Sequence, residues 1–457
     1  MKIVLISPKG PLYRHKGGIF KKSLRYQPLT LTTLAALVPE TLNADIRLID
    51  ESIEVLPDTL DADIVGMTVI SGTAKRSYEL AEQFRKQGKY VVLGGPHVTL
   101  LPEEAQRYAD SIFVGYAEQS WPQFLHDFAD GRTKARYDQD AAFTLGNSPF
   151  ARRELFDRHA FLTQAVFEAT RSCVHKCDFC VAPSAWGSKQ YQHPVEWVIE
   201  DIRRVGQKRI IFVDLNLVSD RAYAVELFTR LIPLNIQWFG LSTVLIAHDE
   251  TLMELMARSG CKGLLLGLES IATSNLKSTH KQFNSSVDYA DLIAKLHRLG
   301  ISVQGCFVFG LDEDTPDVFD ETAEFVLETG IDLPRFAIVT PFPGTPLFQS
   351  LEEQGRILTR DWELYDGQHV VFEPKQMSVE TLLQGHEYAW KKVYSYKGIA
   401  KRLWRARNFQ PLALTSNLGY RFYANHLDRF YTCDWPIKSN MPNPFAGFDT
   451  EIRTQPR

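Results

Sequence analysis

Two long stretches of the chain alternate short apolar runs with helical patterns, and this alternation restricts the fold more than any other feature of the sequence. Helical patterns such as Thr30–Val38 and Ala74–Gln87 separate the apolar runs of the first stretch. Strands separated by helices of this length pair in parallel, with helices on both faces of the sheet. The sequence therefore predicts an α/β protein that begins with a doubly wound parallel sheet. The predicted strands are Lys2–Ser7, Asp45–Ile49, Ile64–Thr68, Tyr90–Gly94 and Ser111–Val114.

A second alternation begins at Gln164, after a polar and irregular segment that we interpret as a linker. Six βα units of this kind predict a partial parallel barrel with its active site at the carboxyl ends of the strands. The six predicted strands are Gln164–Ala169, Arg209–Asp214, Trp238–Ser242, Gly263–Leu268, Val303–Phe309 and Arg335–Val339. The predicted organisation is a Rossmann-like domain at 1–140, a linker at 141–163, a barrel at 164–350 and a mostly helical, aromatic-rich region at 351–457.

Charge and hydropathy narrow the classes of partner. The net charge of −4 over 457 residues gives no overall attraction to nucleic acid. No apolar run approaches the roughly 18 residues that a membrane span requires. The apolar start, Met1–Ser7, is too short for a signal peptide and is typical of a buried strand. We therefore expect a cytoplasmic protein without a nucleic-acid partner.

Three of the six cysteines lie within eight residues, and this clustering indicates a metal centre rather than disulfides. Cys173, Cys177 and Cys180 form a C-x3-C-x2-C loop directly after the first predicted barrel strand. Three thiolates on one loop can hold three irons of a cubane cluster and leave the fourth iron open to a small molecule. The alternative is a zinc site completed by His175 or His193. Zinc sites usually present two close pairs of ligands, and the sequence has no second pair.

The cysteine loop, with Phe179 before its last cysteine, resembles the C-x3-C-x-Φ-C motif of radical S-adenosylmethionine enzymes. The resemblance implies a [4Fe-4S] cluster on the three cysteines and one-electron cleavage of S-adenosylmethionine to a 5′-deoxyadenosyl radical. It also implies contacts with S-adenosylmethionine at the ends of later strands. A buried strand followed by a polar helix cap is the alternative at each place. The candidates are Asp214 and Asn216 for the methionine part, Glu269 and Ser270 for the ribose, and Phe309 near the adenine.

Turns in the first domain resemble the cobalamin-binding domain found in one branch of these enzymes. The resemblance rests on Gly94–Thr99 and Asp110–Glu118, where Tyr116 replaces a glutamate that relatives often have. Small residues at such turns let the backbone approach a flat ring. The alternative is a domain that serves docking alone. The candidate cobalamin contacts are Ser7, Thr68, Ser71, Gly72, Gly94, Gly95, Thr99, Gly115 and Glu118.

Tyr13–Gly18 is a near miss to the D-x-H-x-x-G motif that supplies a histidine to cobalt in many cobalamin proteins. Tyr13 stands where an aspartate should orient the imidazole of His15, and such a carboxylate matters for a metal-bound histidine. His15 is therefore not favoured as a cobalt ligand. A cobalt without a protein ligand below it would suit a methyl donor to radicals.

The C-terminal part offers clues to the substrate. Pro341–Phe348 resembles the closing loop of cobalamin-dependent members, although a rigid turn explains it equally well. Residues 391–407 carry seven basic residues and no acid, interleaved with aromatics. Such a helix can lie on an anionic membrane, but a solvated helix face is the favoured interpretation. Tyr420–Tyr423 resembles the tail of hopanoid and similar lipid methylases.

These resemblances imply a cobalamin-dependent radical S-adenosylmethionine methyltransferase that acts on an unactivated carbon of a small substrate, which would be lipid-like if residues 391–407 bind a membrane. One S-adenosylmethionine would methylate cobalamin and a second would supply the radical, with ferredoxin or flavodoxin as electron donor. A membrane contact through residues 391–407 would place the protein at the inner membrane face. Two alternatives remain: a radical cyclase, rearrangement enzyme or oxidoreductase that uses cobalamin without methyl transfer, and a non-catalytic cobalamin- or metal-binding sensor.

Overall fold

The fold consists of two parallel sheets followed by a helical C-terminal region. In this computed structural model we describe residues 1–10, 23–146, 148–157, 160–163, 165–407 and 411–427. The strands are β1 Lys2–Ser7, β2 Ser23–Tyr26, β3 Asp45–Asp50, β4 Ile64–Thr68, β5 Tyr90–Gly94, β6 Ser111–Val114, β7 Arg136–Asp138, β8 Phe161–Thr163, β9 Val166–Phe167, β10 Thr170–Arg171, β11 Tyr191–Gln192, β12 Arg209–Phe212, β13 Gln237–Ser242, β14 Cys261–Glu269, β15 Ser302–Phe309 and β16 Arg335–Ile338. The helices are α1 Leu29–Ala36, α2 Ala74–Lys86, α3 Pro96–Leu100, α4 Pro102–Ala105, α5 Ser120–Ala129, α6 Val181–Trp186, α7 Val195–Val205, α8 Arg221–Leu231, α9 Glu250–Arg258, α10 Thr273–Ser278, α11 Tyr289–Arg298, α12 Val318–Thr329, α13 Pro346–Glu353, α14 Val379–Val393, α15 Tyr396–Ala406 and α16 Pro411–Ala424.

The first sheet is parallel and six-stranded, in the order β3-β1-β4-β5-β6-β7. Alternate residues of its central strands enter two separate cores. Val4 and Ile6 pack with α2 on one face, whereas Ile3 and Leu5 pack with α1 and α5 on the other. This arrangement confirms the predicted doubly wound domain. The strand order reverses between β1 and β4, and ligands of such sheets bind beyond the carboxyl ends of the strands at that point.

The second sheet holds six parallel strands in chain order, β9-β12-β13-β14-β15-β16. Within the described ranges β9 and β16 do not pair with each other, so the barrel is partial, as predicted. The first strand is shorter than expected. Val166–Phe167 belongs to the sheet, but Thr170–Arg171 turns away to pair antiparallel with Tyr191–Gln192. The chain therefore leaves the barrel just before the cysteine loop.

The segment interpreted as a linker contains ordered structure. Its strand β8 pairs in parallel with β2. Phe156, Ala160 and Phe161 are buried in the core that contains α1 and α5. The second half of this segment thus packs on the first domain, and the domain boundary itself stays a prediction.

The C-terminal helices cover the outer edge of β16. The carbonyl oxygen of Phe336 accepts hydrogen bonds from Nε2 of His386 at 3.2 Å and from Nε1 of Trp390 at 3.1 Å. The N–H of Ile338 donates to the carbonyl of Gly367 at 2.7 Å. The edge groups of the last strand are therefore bound by the chain itself.

One cation of the basic run 391–407 is part of the protein interior. Arg402 is fully buried, and its Nη1 donates to the carbonyls of Ile331 and Asp332 at 3.0 and 2.8 Å. Lys392 forms ion pairs with Asp320 and Glu324. The run is thus not a uniform basic surface. In the described ranges, no helix combines the length and the apolar character needed to cross a membrane.

Candidate functional site

The carboxyl ends of the two sheets face each other across a cavity of about 440 Å³. The first domain contributes the ends of β4, β5 and β6 to its wall, and the second contributes β10 and the residues after β12. The two ligand-binding edges expected from the sequence therefore share one cavity. The lining residues include Thr68, Gly94 and Gly115 from the first domain and Ser172, Val213 and Leu215 from the second.

The three cysteines lie on the loop between β10 and α6. Cys177 is buried, and Cys173 and Cys180 are half-buried. Burial raises the pKa of the Cys177 thiol to about 12 and also raises the pKa values of the other two thiols. Backbone N–H groups of His175 and Ala182 hydrogen-bond the sulfurs of Cys173 and Cys180 and act in the opposite direction. Iron binding must therefore displace protons from this loop, as metal ligation by thiolates generally does.

The loop fits a cluster better than a single ion. In the part of the chain that the structure describes, no group of three or more His, Cys, Asp or Glu side chains could hold one metal ion. Cysteines of an iron–sulfur cluster each bind a different iron and do not need to converge on one point. The rings of the two histidines considered for zinc stack on aromatic side chains instead: His175 on Phe283 and His193 on Trp197, each with centroids 4.0 Å apart.

A buried lysine beside the cysteine loop escaped the sequence analysis. Lys281 forms an ion pair with Glu269, and its Nζ lies 5.9 Å from the ring centroid of Phe179. The positive charge of Lys281 favours the thiolates and so offsets part of the rise that burial causes in the pKa values of Cys173, Cys177 and Cys180. A cation at this place can bind a carboxylate such as that of the methionine part of S-adenosylmethionine. Lys281 lies about 100 residues after the motif, and no local pattern marks it.

Glu269 ends β14 in a left-handed conformation, with φ at 62°. The register between β14 and β15 shifts at this residue. A non-glycine residue in this region of φ/ψ space is uncommon and often lies at a functional site. The predicted ribose contact is thus a carboxylate in an unusual backbone conformation, already paired with Lys281.

The two polar residues after β12 have different surroundings. The carboxylate of Asp214 accepts hydrogen bonds from the N–H groups of Ala169 and Thr170, and burial raises its pKa to about 7. Asp214 therefore holds the strand that leads into the cysteine loop. Asn216 is also buried, but its Oδ1 has no hydrogen-bond partner among the described residues. A buried amide oxygen without a partner fits a ligand donor such as an amino group.

Ser270 and Phe309, the remaining candidate contacts of S-adenosylmethionine, interact with other residues of the barrel domain. Oγ of Ser270 accepts a hydrogen bond from the N–H of Ala272 at 3.0 Å. Phe309 packs in the barrel core, 4.9 Å from Phe319 between ring centroids. Because strand side chains alternate, its neighbour Val308 lines a second cavity instead. The surroundings of Phe309 therefore differ from those expected of an adenine contact.

The cobalamin candidates divide into three groups. Thr68, Gly94, Gly95, Gly115 and Glu118 line the 440 Å³ cavity. Ser71 and Gly72 line the second cavity, of about 390 Å³, between the domains. Ser7 and Thr99 line neither of these cavities. The candidate His15 lies outside the described residues.

Thr99 holds two of the glycine turns together. Its Oγ1 accepts a hydrogen bond from the N–H of Gly115 at 2.9 Å and donates to the carbonyl of Gly95 at 3.1 Å. Gly95 has φ at 105°, and a Cβ there would lie 2.7 Å from the carbonyl oxygen of Val69. The turn after β5 therefore requires glycine and brings bare backbone to the cavity.

One part of this cavity is apolar, with walls from the first sheet and from the segments of α1 and α5, and we call it the apolar slot. Such a slot suits the flat base at the end of the cobalamin tail, because apolar walls with few polar groups are typical of cofactor pockets. The sequence analysis did not single out these residues, since a buried helix face and a ligand slot have the same apolar pattern. The slot is lined by Leu31, Leu34, Leu37, Phe113 and Trp121.

Known families and curated proteins match both parts of the chain. Residues 167–326 match the Radical SAM superfamily, and residues 24–125 match the B12 binding domain. Bacteriochlorophyllide d C-12(1)-methyltransferase from Chlorobaculum tepidum is 30% identical over 82% of this chain and 84% of its own length. Bacteriochlorophyllide d C-8(2)-methyltransferase from the same organism is 32% identical over 80% and 86%, respectively. Hopanoid C-2 methylase from Rhodopseudomonas palustris is 24% identical over 73% of this chain and 66% of its own.

Solved structures share the fold at low identity. The radical S-adenosylmethionine methyltransferase TsrM from Kitasatospora setae, with cobalamin and a [4Fe-4S] cluster bound, superimposes with a TM-score of 0.62. That match has 16% identity and covers 77% of this chain and 78% of TsrM. The cobalamin-dependent enzyme OxsB with aqua-cobalamin bound gives a TM-score of 0.66 at 14% identity, over 93% of this chain and 72% of OxsB.

A cysteine loop at the mouth of a partial barrel, opposite a glycine-lined edge of a doubly wound sheet, defines a radical S-adenosylmethionine enzyme with a B12-binding domain. The methyltransferase relatives then identify the family. This chain belongs to the cobalamin-dependent radical S-adenosylmethionine methyltransferases. It is an enzyme with a [4Fe-4S] cluster, S-adenosylmethionine and cobalamin as cofactors, and its substrate is a small molecule. The predicted class and cofactors are thus confirmed.

Proposed function

We propose that the enzyme methylates a carbon substituent at the edge of a chlorophyllide-type tetrapyrrole. The observation that carries this proposal is the 30% and 32% identity, over four-fifths of the chain, to two enzymes named for methylation of bacteriochlorophyllide d. The hopanoid methylase is less similar, at 24%. A flat tetrapyrrole thus has more support than the polycyclic lipid expected from the tail sequence.

The 390 Å³ cavity supports this choice of substrate. It lies between the cysteine loop, the end of β16 and the turns after β4 and β5. Its wall is mostly apolar, so it favours a ring edge over a charged group. A cavity of this size would take the edge that bears the reacting carbon rather than the whole macrocycle. Representative lining residues are Ile70, Pro96, Phe179, Val308, Ile338 and Phe342.

The roles of individual residues form part of the proposal. Cys173, Cys177 and Cys180 hold the cluster. Glu269 and Lys281 bind S-adenosylmethionine beside it. When bound, the cluster and cobalamin supply a one-electron cleavage and a methyl donor, respectively. The protein orients the substrate between them and excludes water, which is how such sites gain rate and suppress side reactions.

The substrate proposal predicts the product of a defined reaction. We expect protein reconstituted anaerobically with iron, sulfide and hydroxocobalamin to add one methyl group to bacteriochlorophyllide d. The reaction mixture contains a chemical reductant such as dithionite, which supplies the electrons, and S-adenosylmethionine labelled with deuterium in its methyl group, and mass spectrometry detects the labelled product. Both S-adenosylhomocysteine and 5′-deoxyadenosine should accumulate with it.

Two controls decide between the alternatives. A parallel reaction with diplopterol tests the hopanoid substrate, and methylation of that lipid without methylation of the tetrapyrrole would refute our choice. A reaction without reductant should give no labelled product. Formation of 5′-deoxyadenosine and an altered but unlabelled tetrapyrrole would favour a cyclase or oxidoreductase.

We propose in addition that a ferredoxin or flavodoxin supplies the electron for cleavage of S-adenosylmethionine.

We also propose that the outer face of α15 contacts an anionic membrane. Tyr396 and Trp404 are 69% and 75% exposed and lie about two turns apart on the solvent-exposed half of the helix. Lys397 and Arg405 beside them are also exposed. Aromatic and basic residues on one helix face are typical of interfacial binding.

The membrane proposal predicts a dependence on lipid charge. We expect the protein to sediment with vesicles that contain phosphatidylglycerol, and to do so several-fold less with vesicles of phosphatidylcholine alone. Trp404→Ala should weaken the sedimentation, whereas Val55→Ala, at a side chain 91% exposed on the first domain, should not. Equal binding of both variants would overturn the assignment of this helix face.

A further inference from the structure

Arg171 lies two residues before Cys173, and its side chain connects the barrel domain with the first domain. It ends β10 and lies in the barrel domain. Its Nη1 donates to Oε1 of Glu118, which follows β6 in the first domain. Its Nε and Nη2 donate to Oε2 of Glu168 at 3.0 and 2.6 Å. One guanidinium thus connects the turn of the cobalamin-binding edge with the strand that leads into the cysteine loop.

The ion pairs are largely removed from water. The side chains of Arg171, Glu118 and Glu168 are only 16%, 9% and 19% exposed. The guanidinium carbon lies 4.9 Å from the ring centroid of Tyr116, and this ring stacks at 5.5 Å on Trp186 of α6. The planar guanidinium fits carboxylates and aromatic faces in a fixed geometry, so the arrangement is both strong and rigid.

All five of these residues also line the 440 Å³ cavity. The wall that faces the cobalamin site is therefore the same structure that fixes the start of the cysteine loop. Domains within one chain move relative to each other by default unless their interface is large or specifically held. Reaction between centres on separate domains requires their separation to be held within about 1 Å.

We propose that Arg171 is a positioning residue that sets the placement of the cluster loop relative to the cobalamin-binding edge, through its ion pair with Glu118. Glu118, a candidate cobalamin contact from the sequence, thus acts through Arg171 and not only on the cofactor. The inference rests on the cofactor chemistry of the family but not on the identity of the substrate.

The first test uses hydrogen–deuterium exchange on the full-length protein without cofactors. Glu118→Gln keeps the shape of the side chain but removes its charge. We expect backbone amides in residues 115–118 and 170–176 to exchange about tenfold faster in this variant, because the local opening that exposes them becomes easier. Glu363→Gln is the matched control, since Glu363 of the C-terminal region forms another long-range ion pair with the first domain, to Lys75 at 3.2 Å, in a more exposed place. It should leave both segments unchanged.

The second test measures the magnetic interaction between the cluster and the cobalt of cobalamin, which depends on the distance between them. In reconstituted protein, the reduced cluster should enhance the relaxation of the electron paramagnetic resonance signal of cob(II)alamin. We expect Glu118→Gln and Arg171→Met to reduce this enhancement when the signal is normalised to the bound cobalamin and the cluster content of each sample, and Arg171→Lys to retain part of it. If Arg171→Met loses its cluster, Glu118→Gln alone decides. Wild-type exchange and wild-type relaxation in Glu118→Gln would overturn the proposal.

Discussion

Replacing Cys177 with alanine should abolish both the formation of 5′-deoxyadenosine and methyl transfer. Cys177 is the buried member of the three proposed ligands, and Lys281 and the other two thiols all lie close enough to shift its pKa. Three thiolates bind three irons and leave one defined iron open to S-adenosylmethionine. With only two thiolates, a second iron also lacks a ligand and the cluster is no longer held in place. We expect rates to fall by at least about 1,000-fold, as when one member of a catalytic unit is removed.

The measurement combines iron and sulfide analysis with chromatography of nucleoside products. Cys306→Ala is the matched control, because Cys306 lies in the middle of β15 rather than on the loop. It should retain four irons per chain and the wild-type rate. Cobalamin binding should be similar in both variants, since the proposed cobalamin contacts belong to the first domain. A Cys177→Ala protein that still cleaves S-adenosylmethionine reductively would refute the assignment of the cluster ligands.

Replacing Thr68 with tryptophan should remove cobalamin binding while the cluster persists. Thr68 ends β4 and lines the 440 Å³ cavity next to the backbone of Gly95. An indole at this point would occupy space that the corrin ring needs, and a well-packed wall does not yield to such a volume without cost. We expect cobalamin affinity to fall by more than about 100-fold, the loss caused by roughly 3 kcal/mol of steric conflict.

Thr68→Val separates volume from hydrogen bonding in this experiment. Valine keeps the size of threonine but lacks the hydroxyl, so it should bind cobalamin within about tenfold of wild type, the scale of one lost hydrogen bond. Absorbance spectra after gel filtration report bound cobalamin, and iron content reports the intact barrel. Normal cobalamin binding by Thr68→Trp would show that the cofactor lies elsewhere.

The sequence predicted the strands well because each is a continuous apolar run bounded by turn residues. Four of the five strands predicted in the first sheet have the predicted bounds, and Asp45–Asp50 is longer by one residue. The three-residue strand β7 was missed, since its sequence Arg-Tyr-Asp has no apolar run. Its place at the edge of the sheet depends on pairing with β6, which is a long-range property.

Parts of the site could not be predicted because they, too, depend on contacts between residues that lie far apart in the sequence. The cysteine loop is local in sequence, whereas Lys281 reaches it through a fold that brings together residues 100 positions apart. Whether Val308 or Phe309 faces the cavity depends on the register of β15, and a shift of one residue exchanges the two faces. Arg402 is buried because its guanidinium donates to the carbonyl oxygens of Ile331 and Asp332, which lie between α12 and β16, and no helical pattern in the sequence reveals this contact.

The binding of the β16 edge by α14 and by Gly367 has a consequence for the association of this chain with other copies of itself. An open sheet ends in a row of unused donors and acceptors that invites pairing with another chain. Here the polypeptide supplies its own partners for Phe336 and Ile338. A chain shortened before Val379 would keep the bond from Ile338 to Gly367 but would expose the carbonyl of Phe336, and its last strand would be more open to pairing with a second copy.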